Sequence, residues 1–380
     1  MARPVTFASF ALAALLAPAA RAEVTVVDPA GGYGVDLLHA ALAAAAPGDV
    51  LLLQPGDYLN LLFPPYNVHV GITLLPAPGA GRLTLGPIDI SGVPLGQQVV
   101  LRGLDVLEGR ELYQPALYMH ASAGTLWLED CSVTGFDGST TPGFYAGFFA
   151  AGIELSGSQG VFRHCTIRGG HGIDAADSED HFTASGSDGL RLTLGAKAML
   201  HDCTVIGGDA GDGESKFASG DYAGHGVYLH SSDVTLAACS VQGGAEGALN
   251  DDLPGTGGSA LYAWLAASDA RVLDCTFTAG AVQGKGTAAA VVWDPQAGVL
   301  VLDEPARTLV LPDQVREGET GLLQVDGEPG DLALVLASPQ ADLKPLKGQE
   351  GTLVTQLGLM QGPFVLATLT GPDGHLEIPF

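Results

Sequence analysis

Positive charge is what this 380-residue chain has least of: 16 Lys and Arg stand against 42 Asp and Glu, a formal net charge of −26. Binding a phosphate backbone needs a basic face, so nucleic acid is excluded as a partner. An anionic polymer is repelled at long range unless a cation mediates the contact. Cysteine occurs only five times, an odd number that cannot pair completely. There is no Gly-x-Ser-x-Gly elbow, no His-Glu-x-x-His, no Cys-x-x-Cys and no phosphate loop, which removes the common local signatures of hydrolases, zinc proteases, redox dithiols and nucleotide binders. Beyond the first two dozen residues no apolar run is long enough to span a bilayer as a helix.

The beginning of the chain is different. Met1–Ala22 combines Arg3, an apolar run from Val5 to Ala17, and Ala20-Arg21-Ala22 before Glu23, the pattern of a secretory signal with a small-x-small cleavage site. The expectation is an exported protein, extracellular or at the cell surface. Loss of Arg3 and Arg21 with the signal would take the formal charge from −26 to −28.

The five cysteines mark a repeat. Leu126–Gly135, Gly160–Gly169, Ala198–Gly207, Val234–Gly243 and Ala270–Ala279 superimpose without a gap and put Cys131, Cys165, Cys203, Cys239 and Cys275 in one column, spaced 34, 38, 36 and 36 residues apart. Such periods signify stacked, quasi-one-dimensional architecture. Inside each segment the apolar residues follow offsets of two, three and two, as in Val234, Leu236, Cys239 and Val241. Period-two alternation predicts two short strands, and the step of three predicts a bend that keeps both facing one interior. Asp130, His164, Asp202, Ala238 and Asp274 occupy the bend. Asp and His are enriched at positive φ, so this column reads as a corner, not as a row of catalytic aspartates. Leu104 continues the cysteine column upstream with Gly103 at the corner. Stacked parallel side chains meet the disulfide torsion poorly, which predicts five buried thiols, with one strained bridge as the alternative.

Val24–Val27 and Val50–Leu53 read as strands flanking a helix over Val35–Ala46, whose apolar face is Leu37, Leu38, Ala41, Leu42 and Ala45. Pro47-Gly48-Asp49 ends the helix and Pro55-Gly56-Asp57-Tyr58 turns the chain after the strand. Ala46–Tyr58 resembles the entry of secreted right-handed parallel β-helix proteins of the pectin-lyase-like superfamily. That resemblance implies an all-β solenoid over 23–298 with an N-terminal capping helix, and long loops that wall a saccharide cleft.

The long insertions, Phe136–Ala151, Gly170–Asp188, Asp209–His225 and Ala245–Ser259, all fall at one phase of the repeat and so project from one face. Each leads into a short strand, and the outward residues of these strands, with Tyr118 one coil earlier, form the column Tyr118, Glu154, Arg191, Tyr228, Tyr262. Tyr118, Tyr228 and Tyr262 suit stacking against sugar rings, and His230 follows one of these strands. Glu154 and Arg191 on neighbouring coils form a candidate polar centre, with Asp188 or Asp221 as a second carboxyl for a glycosidase. The alternative is an ordinary sheet surface carrying one exposed ion pair. Acidic Gly-rich loops containing Asp174, Asp177 and Asp180, then Asp209, Asp212 and Glu214, offer the oxygen ligands that calcium takes. Polysaccharide lyases of the resembled fold combine calcium with Lys or Arg, and the related hydrolases use clustered Asp.

From Val299 to Phe380 the cysteines stop and seven short strands are predicted in a small antiparallel, sandwich-like module. Gly327–Gly330 and Gly374–Phe380 resemble terminal β modules of large exported bacterial proteins, which serve in surface attachment or sorting. Two functions are therefore expected in competition: an exported β-helix that binds a polysaccharide along the looped face, with or without cleaving it as a lyase or glycoside hydrolase, and a non-catalytic cell-surface or adhesion scaffold displaying acidic loops.

Overall fold

A computed structural model of the chain describes residues 22–29, 34–59, 64–107, 114–137, 150–172, 185–212, 222–247, 256–264, 267–282, 288–295 and 297–302, and the backbone of seven further strands between 308 and 379. The segment read as a secretory signal lies almost entirely outside the described residues.

Three parallel sheets of ten, seven and eight strands run along one axis. Each coil visits them in turn, as in Gln98–Arg102 on the first sheet, Leu104–Leu107 on the second and Leu117–His120 on the third, before Thr125–Glu129 returns to the first. This is the architecture of a right-handed parallel β-helix, as expected. Strands pair in strict register: Leu126 lies between Val99 and Gly160, and Leu128 between Leu101 and Phe162. Alternate residues therefore stack into interior columns, and one continuous apolar core runs the length of the solenoid. Gly160 shows how tightly it is filled. A β-carbon there would meet Cζ of Phe162 at 2.6 Å, so the large ring on one position requires a missing side chain on the other.

The corner column is as expected. Gly103, Asp130, His164, Asp202, Ala238 and Asp274 have φ of 65°, 53°, 51°, 51°, 52° and 46°. The cysteines that follow are free thiols; the first four are buried and Cys275 is half-buried. Each Sγ donates to the carbonyl two residues earlier, at 3.3 Å for Cys131, 3.1 Å for Cys165, 3.3 Å for Cys203, 3.2 Å for Cys239 and 3.1 Å for Cys275. Cysteine thus supplies a small apolar side chain with a weak donor for a carbonyl at the bend. Burial pushes the Cys131 thiol up to about 12, which leaves it un-ionised and unreactive. A second left-handed corner, between the third and first sheets, carries no such marker: Gly92, Ala121, Gly157, Leu194 and Ser231 have φ between 47° and 67°.

The capping helix spans Gly34–Ala44 and packs on Val24–Val27 and Tyr66–Val68. Leu38 and Leu42 are buried, but Leu37 is exposed, because the buried stripe is centred one residue away from it. The Pro-Gly-Asp and Pro-Gly-Asp-Tyr turns have structural duties. Asp49 accepts the N–H groups of Glu23 and Ala46, both at 2.8 Å, which tie the first strand to the end of the helix. Tyr58 donates to the carbonyl of Gln54 at 2.9 Å, with that of Val27 3.0 Å away.

Gly298–Leu302 pairs in parallel with Asp269–Leu273, so this strand belongs to the solenoid and not to the terminal module assigned from 299 onward. The later strands pair antiparallel: Thr308–Val310 and His375–Pro379 flank Leu322–Asp326, Leu332–Val335 pairs with Val365–Thr368, and Ala341–Pro345 pairs with Thr352–Thr355.

Candidate functional site

The third sheet follows the looped segments, and its strands alternate buried residues with half-buried ones, or at Trp264 an exposed one. Strict register turns the outward positions into two columns. One is Asp89, Tyr118, Glu154, Arg191, Tyr228 and Tyr262; the other is Ser91, His120, Ser156, Thr193, His230 and Trp264. Glu154 and Arg191 are direct neighbours, as the sequence suggests.

Arg191 nevertheless turns to Asp188. Its Nε and Nη2 both lie 2.8 Å from Oδ2, and Oδ1 accepts the backbone N–H of His225 at 2.9 Å. Asp188 is 4% exposed and has both oxygens bonded, so it positions Arg191 and the His225 backbone. Asp188, more than any other neighbour, raises the Arg191 guanidinium still further above its ordinary range. Glu154 is left with a weaker claim on that charge. Burial pushes its carboxyl above the ordinary 4.5 and Asp188 adds to the rise, while Arg191 opposes both. A half-buried carboxyl that holds its proton more firmly than usual is suited to give or take one at a bound ligand.

His225 belongs to the same cluster and was not among the residues singled out from the sequence. It occupies the position before Gly226 that Asp188 occupies before Gly189. Its Nδ1 accepts the N–H of Ser259 at 3.1 Å, which places the proton of the neutral ring on Nε2. Burial holds the ring below its ordinary 6.5 despite the opposing charge of Asp188. The imidazole stacks on Tyr262 with centroids 4.4 Å apart and an 11° angle. Aligning the residues before each Gly or Ala that opens a third-sheet strand, Ala151, Asp188, His225 and Ser259, would have found it.

No family model matches the chain, and no curated protein matches it by sequence. Solved structures do. The pectate lyase Pel9A is similar over 74% of this chain and 68% of its own, with 14% identity and a TM-score of 0.41. The enzymatically active domain of tailspike protein 4 of bacteriophage CBA120 is similar over 93% of this chain and 65% of its own, with 11% identity and a TM-score of 0.27. Tailspike protein 3 of the same phage is similar over 72% and 57%, with 11% identity and a TM-score of 0.22.

The remaining expected residues divide by place. Tyr228 and Tyr262 run parallel at 6° with centroids 5.8 Å apart, and Tyr262 and Trp264 at 12° and 5.9 Å. These are offset-stacking distances, so the rings engage one another and form one aromatic surface instead of separate platforms. Arg191 lies over the Tyr228 ring at 5.6 Å, which joins that surface to the polar centre. Tyr118, on the other side of Glu154, stacks on His120 at 4.6 Å and 20°. His230 stands between Thr193 and Trp264 in the second column.

Asp209 has a local role: its Oδ1 accepts the N–H of Ala245 at 2.6 Å, its own N–H donates to Nδ1 of His171 at 2.9 Å, and the N–H of His171 donates to Asp137 at 2.8 Å. This ladder of side chain to next coil anchors the loop roots. Asp212 is exposed. Asp174, Asp177, Asp180, Glu214 and Asp221 lie outside the described residues. Among the described residues no three His, Cys, Asp or Glu side chains converge as a metal site.

Proposed function

We propose that the chain is an exported protein that binds a polysaccharide across the outer face of the third sheet and cleaves it with Glu154 as the proton carrier. One observation carries this reading. Arg191 is committed to Asp188, so the half-buried Glu154 keeps a raised proton affinity in the middle of a face bounded by Tyr118 on one side and by Tyr228 and Tyr262 on the other. Sugar rings present apolar faces for aromatic contact and a ring of hydroxyls for charged donors. Arg191 and the Nε2–H of His225 supply such donors, and Glu154 protonates or deprotonates the bound chain. The antiparallel terminal strands serve attachment to the cell surface.

A second reading, a non-catalytic surface scaffold, draws on the same cluster. Both oxygens of Asp188 are bonded, so one of the two carboxyls a glycosidase would use is engaged in holding Arg191 and the His225 backbone. Purified protein incubated with neutral and acidic polysaccharides separates the two. Unsaturated products or new reducing ends that disappear in Glu154→Gln support the enzyme. Binding without either product supports the scaffold, and no binding at all removes both glycan readings.

A further inference from the structure

A groove of about 610 Å³ opens where the third sheet turns into the first, lined by Tyr118, His120, Ala121, Ser156, Gly157 and Leu194 among others. Its volume falls within the roughly 300–1,000 Å³ of small-ligand sites. The stacked rings of Tyr118 and His120 form one wall. Nε2 of His120 lies 3.2 Å from Oδ1 of Asp89.

Leu194 is the unusual member. It sits in the left-handed corner at φ 56°, where the other coils place Gly92, Ala121, Gly157 and Ser231. A branched side chain is disfavoured in that conformation, and Leu194 is also 74% exposed. The backbone strain and the solvated apolar surface both argue against a stability role, since glycine would serve the corner better. Leu194 thus combines a left-handed backbone with an apolar side chain at the wall of the groove.

We propose that this corner groove is a subsite for a neutral pyranose unit of the glycan bound at Glu154, with Leu194 and the Tyr118–His120 pair contacting the apolar ring faces. The inference rests on the reading of the third sheet as a glycan face and extends it. Tyr118 is paired in register with Glu154, and Ser156 is two residues beyond Glu154 on the same strand, so the groove is continuous with the polar centre. Among the described residues its lining contains no Lys or Arg to receive a sugar carboxylate, and Asp89 beside His120 adds negative charge. Uronate units are therefore rejected at this position.

Calorimetric titration of the purified protein with neutral oligosaccharides of increasing length, and with uronate oligomers of equal length, tests the subsite. Leu194→Gly should weaken binding of the longer neutral oligomers about tenfold, the effect of losing a modest apolar contact. Short oligomers that reach only Glu154 should bind as before. Its thermal midpoint should equal or exceed that of the parent, because glycine relieves the corner, and this separates lost contact from lost fold. His120→Ala should repeat the length-dependent loss, whereas Glu154→Gln should alter every length. Equal binding of all lengths by Leu194→Gly and the parent overturns the subsite while leaving the glycan face intact. Tighter binding of uronates than of neutral oligomers overturns its selectivity, and failure of the parent to bind any glycan removes both the subsite and the reading beneath it.

Discussion

The solenoid carries the same pair of residues on two faces, with different outcomes. On the first sheet Glu129 is in register with Arg163, and on the third Glu154 is in register with Arg191. Glu129 is served from both sides: Arg163 Nη1 lies 3.1 Å from one oxygen and Arg102 Nε 3.5 Å from the other. On the third sheet the stoichiometry is reversed, with one arginine for two carboxyls, and the more buried Asp188 takes it. The difference comes from a single residue in the loop before the strand. An ion ladder becomes a centre in which Glu154 keeps the higher proton affinity when a competing acid is placed three residues before the arginine.

Removing the competitor should have the largest effect. Asp188→Ala leaves the His225 N–H without its acceptor and Arg191 without its main partner. With the guanidinium half in solvent, a loss of about 2–3 kcal/mol is expected in chemical denaturation. Arg191 should then pair with Glu154, lower its proton affinity and abolish cleavage. Unchanged stability would mean that Asp188 is not the organising acid.

Glu154→Gln comes next. Cleavage should fall by about 10²–10⁴, the usual contribution of a positioned acid or base. The variant should also change stability against pH. A carboxyl with a raised folded pKa costs nothing below its unfolded value of 4.5, and its penalty grows as pH rises through the window above that, so the native protein loses stability there. Glu154→Gln should remove this downward slope. His225 contributes in the opposite direction, since its lowered pKa makes the native state lose stability as pH falls below 6.5. An unaltered slope in Glu154→Gln would contradict the assignment of a carboxyl with raised proton affinity.

The first-sheet pair provides the contrast. A double-mutant cycle with Glu129→Gln and Arg163→Met should give a coupling of at most about 1 kcal/mol. It should shrink further in salt. Glycan binding should be unchanged, and any loss there would erase the functional distinction between the faces.

The solenoid itself is written plainly in the chain. Offsets of two, three and two, with Asp, His or Gly at the bend, follow directly from strands that share one interior, and the left-handed φ of Asp130, His164 and Asp202 follows from the same count. The outward column was legible for the same reason, because register passes position from coil to coil. What Arg191 would choose was not. Glu154 and Asp188 are both acids near it in sequence and stacking, and only burial and the angle of approach decide between them. His225 was hidden because its role depends on a contact with the next coil, the N–H of Ser259, that no periodicity within one repeat specifies. The second corner was missed because Ala121, Leu194 and Ser231 are not residues that favour positive φ.

The two corners allow the smallest but cleanest comparison. Ala238, beside the first sheet, has φ of 52°, much like the 56° of Leu194 beside the third. An L-residue in this region costs about 1–2 kcal/mol. Glycine gives back about 0.5–1 kcal/mol of that through the entropy of the unfolded chain. Ala238→Gly should therefore gain about 0.5–1 kcal/mol in denaturant titration with glycan affinity unchanged. Leu194→Gly should gain at least as much and lose affinity. If both substitutions stabilise equally and neither alters binding, the strain at Leu194 is as incidental as that at Ala238. A difference confined to binding assigns the exposed leucine to the ligand.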